Sequence, residues 1–261
     1  MMDPAHSPSL VDTLAGGPVP AADAEAEALV ARLLDSLSVR DKAAQLVMPW
    51  LPGNYAASDD ETFALVQRWV DSLHVGAVLI SVGSPLDVAV KLNDLQRRSP
   101  LPLLVAADLE AGTSIRLNGG TPFPSNMGVG AGGGEQDAYD MGRITAIEAR
   151  AVGIHLAFAP VADVNSNPAN PIINTRSFGE DPRAVGRLVA AQVRGMQDYG
   201  LLATAKHFPG HGDTETDSHL AIPSIASDWP RLDSIEMVPF RAAVDAGVTA
   251  VMSAHIALPA L

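Results

Sequence analysis

Cysteine, basic residues and long apolar runs are scarce in this sequence of 261 residues. The absence of cysteine excludes disulfide bonds, thiolate nucleophiles and zinc sites built on thiolates. Lys and Arg number 17 against 30 Asp and Glu, and the net charge of −13 repels nucleic-acid phosphates and anionic lipid surfaces. No charge-free apolar run approaches the ~20 residues of a membrane-spanning helix. We therefore expect neither a nucleic-acid partner nor a membrane partner.

The composition is that of a folded domain with a short leader. Hydrophobic residues make up 47% of the chain, enough for a substantial core, and 22 Gly with 20 Pro suit many tight connections. Residues 1–22 begin MMDPAHSPSL, with Asp3 and Pro4 where a secretory signal would place Lys or Arg before an apolar stretch. We expect residues 1–22 to be a disordered leader, residues 23–261 to form one domain, and the location to be cytoplasmic.

Short apolar runs alternate with amphipathic stretches from residue 23 onward, which is typical of βα units around a parallel sheet. The runs are too short for buried helices and are mostly rich in Val, Leu and Ile. They span Ala44 to Pro49, Val75 to Ser81, Leu101 to Asp108, Ile154 to Asp163, Leu201 to His207 and Val248 to His255. Helical patterns cover Asp23 to Leu37, Ser58 to Leu73, Pro85 to Arg97, Glu135 to Val152, Asp181 to Tyr199 and Pro230 to Ala246.

The alternating pattern fits either an open doubly wound sheet or a (β/α)₈ barrel of the TIM type, and the polar residues at the ends of successive runs distinguish the two. An open sheet gathers ligands near one switch point, whereas a barrel gathers side chains from many strand ends around one axis. The polar residues in question are Asp108, Glu110, Asp163, Lys206, His207 and His255. The sequence thus predicts an α/β barrel. A full barrel has ~250 residues or more in eight units, so the six units predicted here make it incomplete by about two.

The segment KHFPGHGDTETDSH, residues 206–219, concentrates histidine beside Gly and Pro directly after an apolar strand. A solvated polar loop would explain the acids but not the histidines, and functional side chains are commonly held on loops of this kind. A metal site is a sharper alternative, because His207, His211, Asp213 and His219 are acceptable ligand types. Pro209 and Gly210, however, break any helix that would align His207 with His211.

Asp217 and His219 form a candidate general acid/base pair. A carboxylate beside an imidazole fixes its tautomer and raises the basicity of the other ring nitrogen. Lys206 and His207 leave the strand end together and are suited to donate hydrogen bonds to a bound ligand.

The same segment resembles the signature of family 3 glycoside hydrolases, in particular the bacterial β-N-acetylhexosaminidase branch. The similarity runs from about Leu33 to the end through DKAAQLVM, GAVLIS, LLVAADLEAG, TPFPSNMGVGA, LAFAPVADVNSNPANPIINTRSFGEDP and AVMSAHI, in family order. The resemblance implies that Asp217 and His219 form the acid/base dyad. It places the sugar-binding positions on Asp108, Arg116, Arg176, Lys206 and His207. Without the resemblance, Arg176 could equally be a surface salt-bridge residue.

The resemblance implies a retaining, cofactor-free and metal-free exo-β-N-acetylhexosaminidase whose partner is a small N-acetylglucosamine-containing glycan of cell-wall type. Family members retain configuration through an Asp nucleophile that normally follows the seventh strand. That Asp has no counterpart in this sequence, so we expect the chain alone to be inactive. A noncatalytic sugar-binding remnant, another family 3 β-glycosidase and a metal-dependent hydrolase are the alternatives.

Residues Gly128 to Gly133 match the G-x-G-x-x-G spacing of a dinucleotide loop, with Glu148 twenty residues on. No strand leads into the motif, and Glu148 falls inside a helical pattern, so the required context is missing. We interpret the glycines as a flexible connection.

Overall fold

The structure is a computed structural model that describes residues 24–57, 60–216 and 222–260. Its centre is a six-stranded sheet in which every neighbouring pair is parallel and the strand order follows the chain. The strands are β1 (Trp50–Leu51), β2 (Ala77–Ile80), β3 (Leu104–Ala107), β4 (Leu156–Ala157), β5 (Leu202–Phe208) and β6 (Ala250–Ser253). This sequential order confirms the barrel-type α/β prediction over a doubly wound sheet, in which the order reverses.

Helices alternate with the strands and pack against the sheet. They are α1 (Ala24–Ser36), α2 (Val39–Ala44), α3 (Glu61–Arg68), α4 (Pro85–Arg98), α5 (Asn126–Gly132), α6 (Glu135–Ala151), α7 (Pro182–Gln197), α8 (Trp229–Arg231) and α9 (Val238–Asp245). Single π-helical turns continue α3 over Trp69–Leu73 and join α8 to α9 over Leu232–Glu236. Among the described residues, no helix is long and apolar enough to span a bilayer.

Helix α7 shows how the local sequence sets an element. The Asp181 side chain accepts a hydrogen bond from the backbone N–H of Ala184, and Pro182 occupies the first turn, where its missing N–H costs nothing. One face of α7 is buried as a whole and packs beside β5: Val185, Leu188, Val189, Gln192 and Met196. The helical pattern over Asp181 to Tyr199 is confirmed.

Two local predictions are wrong, and a third holds for only part of its run. The run Ala44–Pro49 is not a strand: Ser38 caps a helix that extends to Ala44, and the first strand begins only at Trp50. In the run Ile154–Asp163, only Leu156–Ala157 form a named strand, and Pro160 within it has no N–H to donate. The glycines from Gly128 to Gly133 do not form a flexible connection, because Ser125 caps helix α5 over most of them.

Candidate active site

A cavity of about 620 Å³ opens at the carboxyl ends of the strands. It brings together all five predicted sugar-binding residues, which are Asp108, Arg116, Arg176, Lys206 and His207. His255, which follows β6, lines the same cavity, as its strand-end position predicts. The predicted acid/base pair, Asp217 and His219, lies outside the described residues.

Lys206 is the central cation of the cavity, and only 3% of its side chain is exposed. It projects from β5, whose interior is buried, and reaches the loop after β3. Its Nζ donates to Asp108 Oδ1 at 2.9 Å and lies 2.7 Å from Glu110 Oε1. A buried ammonium needs such partners, because an isolated charge is costly to remove from water.

Arg176 is not a surface salt-bridge residue but part of the cavity wall. Its Nε and Nη2 donate to the two carboxylate oxygens of Glu110 at 2.9 and 2.8 Å, a planar fork-to-fork geometry. Its Nη1 donates to the carbonyl oxygen of Ile172, which fixes the guanidinium in place. Burial opposes ionisation of Glu110, but Arg176 and Lys206 outweigh it and lower the pKa of Glu110 to about 2.

Five side chains of alternating sign therefore form one connected set, which we call the charge chain. It runs from Arg116 through Asp108, Lys206 and Glu110 to Arg176. The first link is the loosest, because Arg116 Nη2 lies 3.6 Å from Asp108 Oδ2. The unused N–H groups of the two arginines and the lysine are available to hydroxyl or carbonyl oxygens of a ligand.

Asp163 holds His207 and the start of the loop that follows β5. The carboxylate is fully buried and accepts from His207 Nδ1 at 2.7 Å and from the backbone N–H of His211 at 2.7 Å. Burial raises its pKa, but the contacts with His207 and these backbone donors dominate and lower the pKa below its usual value. The second ring nitrogen of His207, Nε2, lies 3.4 Å from Arg176 Nη2.

Asn170 fixes the same loop from the β4 side. Its Nδ2 donates to the carbonyl oxygen of His211 at 2.8 Å and to Thr214 Oγ1 at 3.2 Å. Gly212 packs so closely on the carbonyl of Val164 that a Cβ would collide with it. The described part of the loop, up to residue 216, is thus held firmly at its start.

A fully buried carboxylate, Glu236, lies beneath this loop. Its Oε1 accepts from Ser166 Oγ at 3.2 Å, while Oε2 has no hydrogen-bond partner among the described residues. Arg231 Nη2 is 4.0 Å from Oε1 and lies closer to Asp213, at 3.4 Å. Burial, and then the like charge of Asp213, raise the pKa of Glu236 to about 7.

The metal alternative gains no support from the described residues. Within them, no group of three or more His, Asp or Glu side chains is arranged to hold a metal ion. His207 Nδ1 is engaged by Asp163 and His211 Nδ1 by Thr214. His219, the remaining histidine of that hypothesis, lies outside the described part of the chain.

Sequence reasoning assigned no site role to Glu110, Asp163 or Glu236. The first two were recognised as polar residues at strand ends, and that signal was sufficient to place them near the cavity. Glu236 lies in a helical pattern, where nothing local distinguishes it from a solvated carboxylate.

Comparison with characterised sequences gives a consistent result. Residues 38–261 match the model of the glycosyl hydrolase family 3 N-terminal domain. Beta-hexosaminidase A of Pseudoalteromonas piscicida is 41% identical over 191 residues, covering 71% of this chain and 31% of that protein. A protein named beta-N-acetylglucosaminidase/beta-glucosidase, from Cellulomonas fimi, is 41% identical over 188 residues, covering 72% of this chain and 33% of that protein. In both cases the match spans about a third of the relative's length.

A solved structure supports the same assignment. The family 3 β-N-acetylglucosaminidase from Paenibacillus sp. str. FPU-7 superposes with a TM-score of 0.79 at 40% sequence identity, covering 86% of this chain and 43% of that one. The family match over residues 38–261 includes every cavity residue described above. The chain therefore belongs to glycosyl hydrolase family 3, and residues 38–261 correspond to the N-terminal domain of that family.

Proposed function

We propose that this chain forms the sugar-binding and acid/base part of a retaining exo-β-N-acetylhexosaminidase that acts on terminal β-linked N-acetylglucosamine of cell-wall-type glycans. The observation that carries the proposal is the cavity with its charge chain, at the strand ends where barrel enzymes have their active sites. Its volume of about 620 Å³ suits one small ligand. The relatives that are β-hexosaminidases and β-N-acetylglucosaminidases support N-acetylglucosamine as the sugar.

The five sugar-binding residues have complementary roles in this proposal. Asp108 accepts hydrogen bonds from ring hydroxyls, while Arg116, Arg176, Lys206 and His207 contact hydroxyl or N-acetyl oxygens. Such a site recognises a neutral, hydroxyl-rich ligand through many directional contacts rather than through one strong charge.

The chemistry requires an acid/base group and a nucleophile. In the proposal, His219 protonates the glycosidic oxygen as the bond to the anomeric carbon breaks, and later takes a proton from the attacking water, while Asp217 orients it. A carboxylate must attack the anomeric carbon from the other side. The resemblance to the family assigns this step to an Asp that follows the seventh strand, and the proposal keeps Asp108 and Glu110, which are paired with cations, as binding residues.

The first test is binding and turnover by the 261-residue chain. Calorimetry should detect N-acetylglucosamine binding, and 4-nitrophenyl N-acetyl-β-glucosaminide should show negligible hydrolysis. A burst of nitrophenolate followed by steady turnover would show that one of the chain's own carboxylates is the nucleophile. Failure to bind the sugar would contradict the proposal itself.

The second candidate function is that of a noncatalytic sugar-binding protein. Adding azide, an external nucleophile, distinguishes it from an enzyme that lacks only its nucleophile. In the enzyme, azide attacks the anomeric carbon as the bond between that carbon and the phenolic oxygen breaks, nitrophenolate leaves, and the product is the α-glycosyl azide. A sugar-binding protein releases nothing. Engagement of both cavity carboxylates by cations is the observation that favours this candidate.

The role of His219 is tested through the leaving group. Replacing it by alanine should slow azide-dependent release of a poorly leaving phenol far more than release of nitrophenol, which needs little protonation. Equal losses for both leaving groups would contradict an acid role.

A further inference from the structure

The loop between β3 and α5 brings Arg116 to the cavity, but few contacts hold its side chain there. Among the described residues, Arg116 Nη1 donates one hydrogen bond, to the carbonyl oxygen of Ile115 in the same loop at 3.1 Å. The contact with Asp108 is long, at 3.6 Å, and 32% of the Arg116 side chain is exposed. The direction of this guanidinium therefore depends on the backbone of residues 112–121, which we call the Arg116 loop.

Glu148, on helix α6, joins the two ends of the Arg116 loop. Its Oε2 accepts a hydrogen bond from Thr113 Oγ1, and its Oε1 accepts one from Thr121 Oγ1. The backbone N–H of Thr121 also points at the carboxylate, with its nitrogen 3.2 Å from Oε1 and 3.1 Å from Oε2. A carboxylate is suited to this role, because its two oxygens can accept several hydrogen bonds at once. One side chain of the outer helical layer thus closes the loop at its base.

The middle of the Arg116 loop is held separately, by the backbone that follows β2. Gly83 donates its N–H to the carbonyl oxygen of Arg116 at 3.0 Å and accepts from the N–H of Asn118 at 3.0 Å. Two bonds to a single residue act as a hinge, so the base of the loop decides the angle at which the loop enters the cavity. That base is tightly packed, because a Cβ on Gly120 would lie 2.4 Å from Thr113 Oγ1.

Glu148 is not among the residues that line the cavity, so it can affect a ligand only through the loop. We propose that Glu148 is a positioning residue that directs the Arg116 guanidinium into the cavity and thereby strengthens saccharide binding. The proposal rests on the proposed function for the identity of the ligand. It also gives a role to the acidic residue that follows the glycine motif, which holds a loop of the cavity rather than a nucleotide.

The test is a double-mutant cycle on the affinity for N-acetylglucosamine, measured by NMR titration of the backbone amides. Glu148→Ala removes the shared acceptor at the base of the loop, and Arg116→Ala removes a charged donor to the sugar. Each substitution should weaken binding roughly tenfold. Because Glu148 acts through Arg116, the double variant should bind no more weakly than Arg116→Ala alone, whereas independent effects would multiply to roughly a hundredfold.

Two further substitutions separate positioning from a general effect on helix α6. Glu135 lies on the same helix, is 54% exposed and pairs with Arg187 at the surface, so Glu135→Ala should leave the affinity unchanged. Glu148→Gln is the conservative variant, because its amide oxygen can still accept from Thr121 and its NH₂ group can donate to Thr113 Oγ1. It should recover most of the affinity that Glu148→Ala loses.

Thr113→Val gives the answer if Glu148→Ala fails to fold. It keeps the approximate shape of a fully buried residue and removes the hydroxyl at one end of the loop. The affinity should fall roughly threefold, and this loss should disappear when Arg116 is also replaced by alanine.

The outcomes separate this proposal from the proposed function. If the unsubstituted chain binds the sugar but Glu148→Ala binds it equally well, or if the losses of Glu148→Ala and Arg116→Ala multiply, the positioning role is overturned while the proposed function stands. If the unsubstituted chain does not bind the sugar, both are overturned.

Discussion

Replacing Glu236 by glutamine should change how the stability of the protein depends on pH. The folded structure raises the pKa of Glu236 from 4.5 to about 7, because the side chain is fully buried and the charge of Asp213 is nearby. Below pH 4.5 the carboxyl is protonated in both the folded and unfolded states. Between pH 4.5 and 7 the unfolded state loses the proton and the folded state keeps it, so stability falls as pH rises.

The magnitude follows from the shift. A difference of 7 − 4.5 at 1.36 kcal/mol per pKa unit gives about 3 kcal/mol of lost stability above pH 7. Glutamine has nearly the same shape as the protonated acid and does not titrate. The free energy of unfolding of Glu236→Gln, relative to the unsubstituted protein, should therefore rise by about 2.5 kcal/mol between pH 5 and pH 8, because a small part of the effect is already present at pH 5.

Urea unfolding followed by circular dichroism at several pH values measures this difference, and the comparison cancels the titration of all other groups. Glu215→Gln is the matched control, because it makes the same substitution at an exposed position of the same region. A constant difference between Glu236→Gln and the unsubstituted protein would refute the reasoning, since it would mean that Glu236 is ionised normally in the folded state.

Two further substitutions test the cavity and the glycine-rich helix. Arg176→Lys keeps the positive charge but loses the two parallel hydrogen bonds to the Glu110 carboxylate. The free energy of unfolding, measured with urea, should therefore fall by about 1–3 kcal/mol, and calorimetry should show a weaker affinity for the sugar. An unchanged free energy of unfolding would contradict the role of the bidentate pair. In helix α5, a Cβ on Gly130 would collide with the carbonyl of Phe178, whereas one on Gly132 meets nothing. Gly130→Ala should thus lower the melting temperature. Gly132→Ala should leave it unchanged or raise it, by an amount that corresponds to about 0.5–1 kcal/mol of stability. If both substitutions changed the melting temperature equally, the packing would not require glycine at position 130.

The sequence predicts the barrel-type order and most of the cavity because both depend on local signals. Buried parallel strands appear as continuous apolar runs, and their carboxyl ends carry the polar residues, as at Asp108 and Lys206. The first strand was misplaced because the apolar run Ala44 to Pro49 lies between the end of the helix capped by Ser38 and the strand that starts at Trp50, and a short apolar run does not by itself identify a strand.

The features that the sequence did not predict depend on contacts between segments that are distant in the chain. Glu236 lies in an amphipathic helical pattern, and its burial depends on Gly210 and Ser166, which are distant in the chain. The placement of His211 depends likewise on the contact of its carbonyl oxygen with Asn170 and of its ring with Thr214. Neither feature leaves a periodic signal, because each arises only when separate loops meet.

The charge chain also affects how a ligand approaches. Its three cations and two carboxylates leave the cavity with one net positive charge, while the whole chain carries −13. At a distance the protein repels an anion, and only within about a Debye length, roughly 10 Å at 0.1 M ionic strength, does the local positive charge dominate. Added salt should therefore speed the encounter with an acidic saccharide and leave the encounter with an uncharged one almost unaffected.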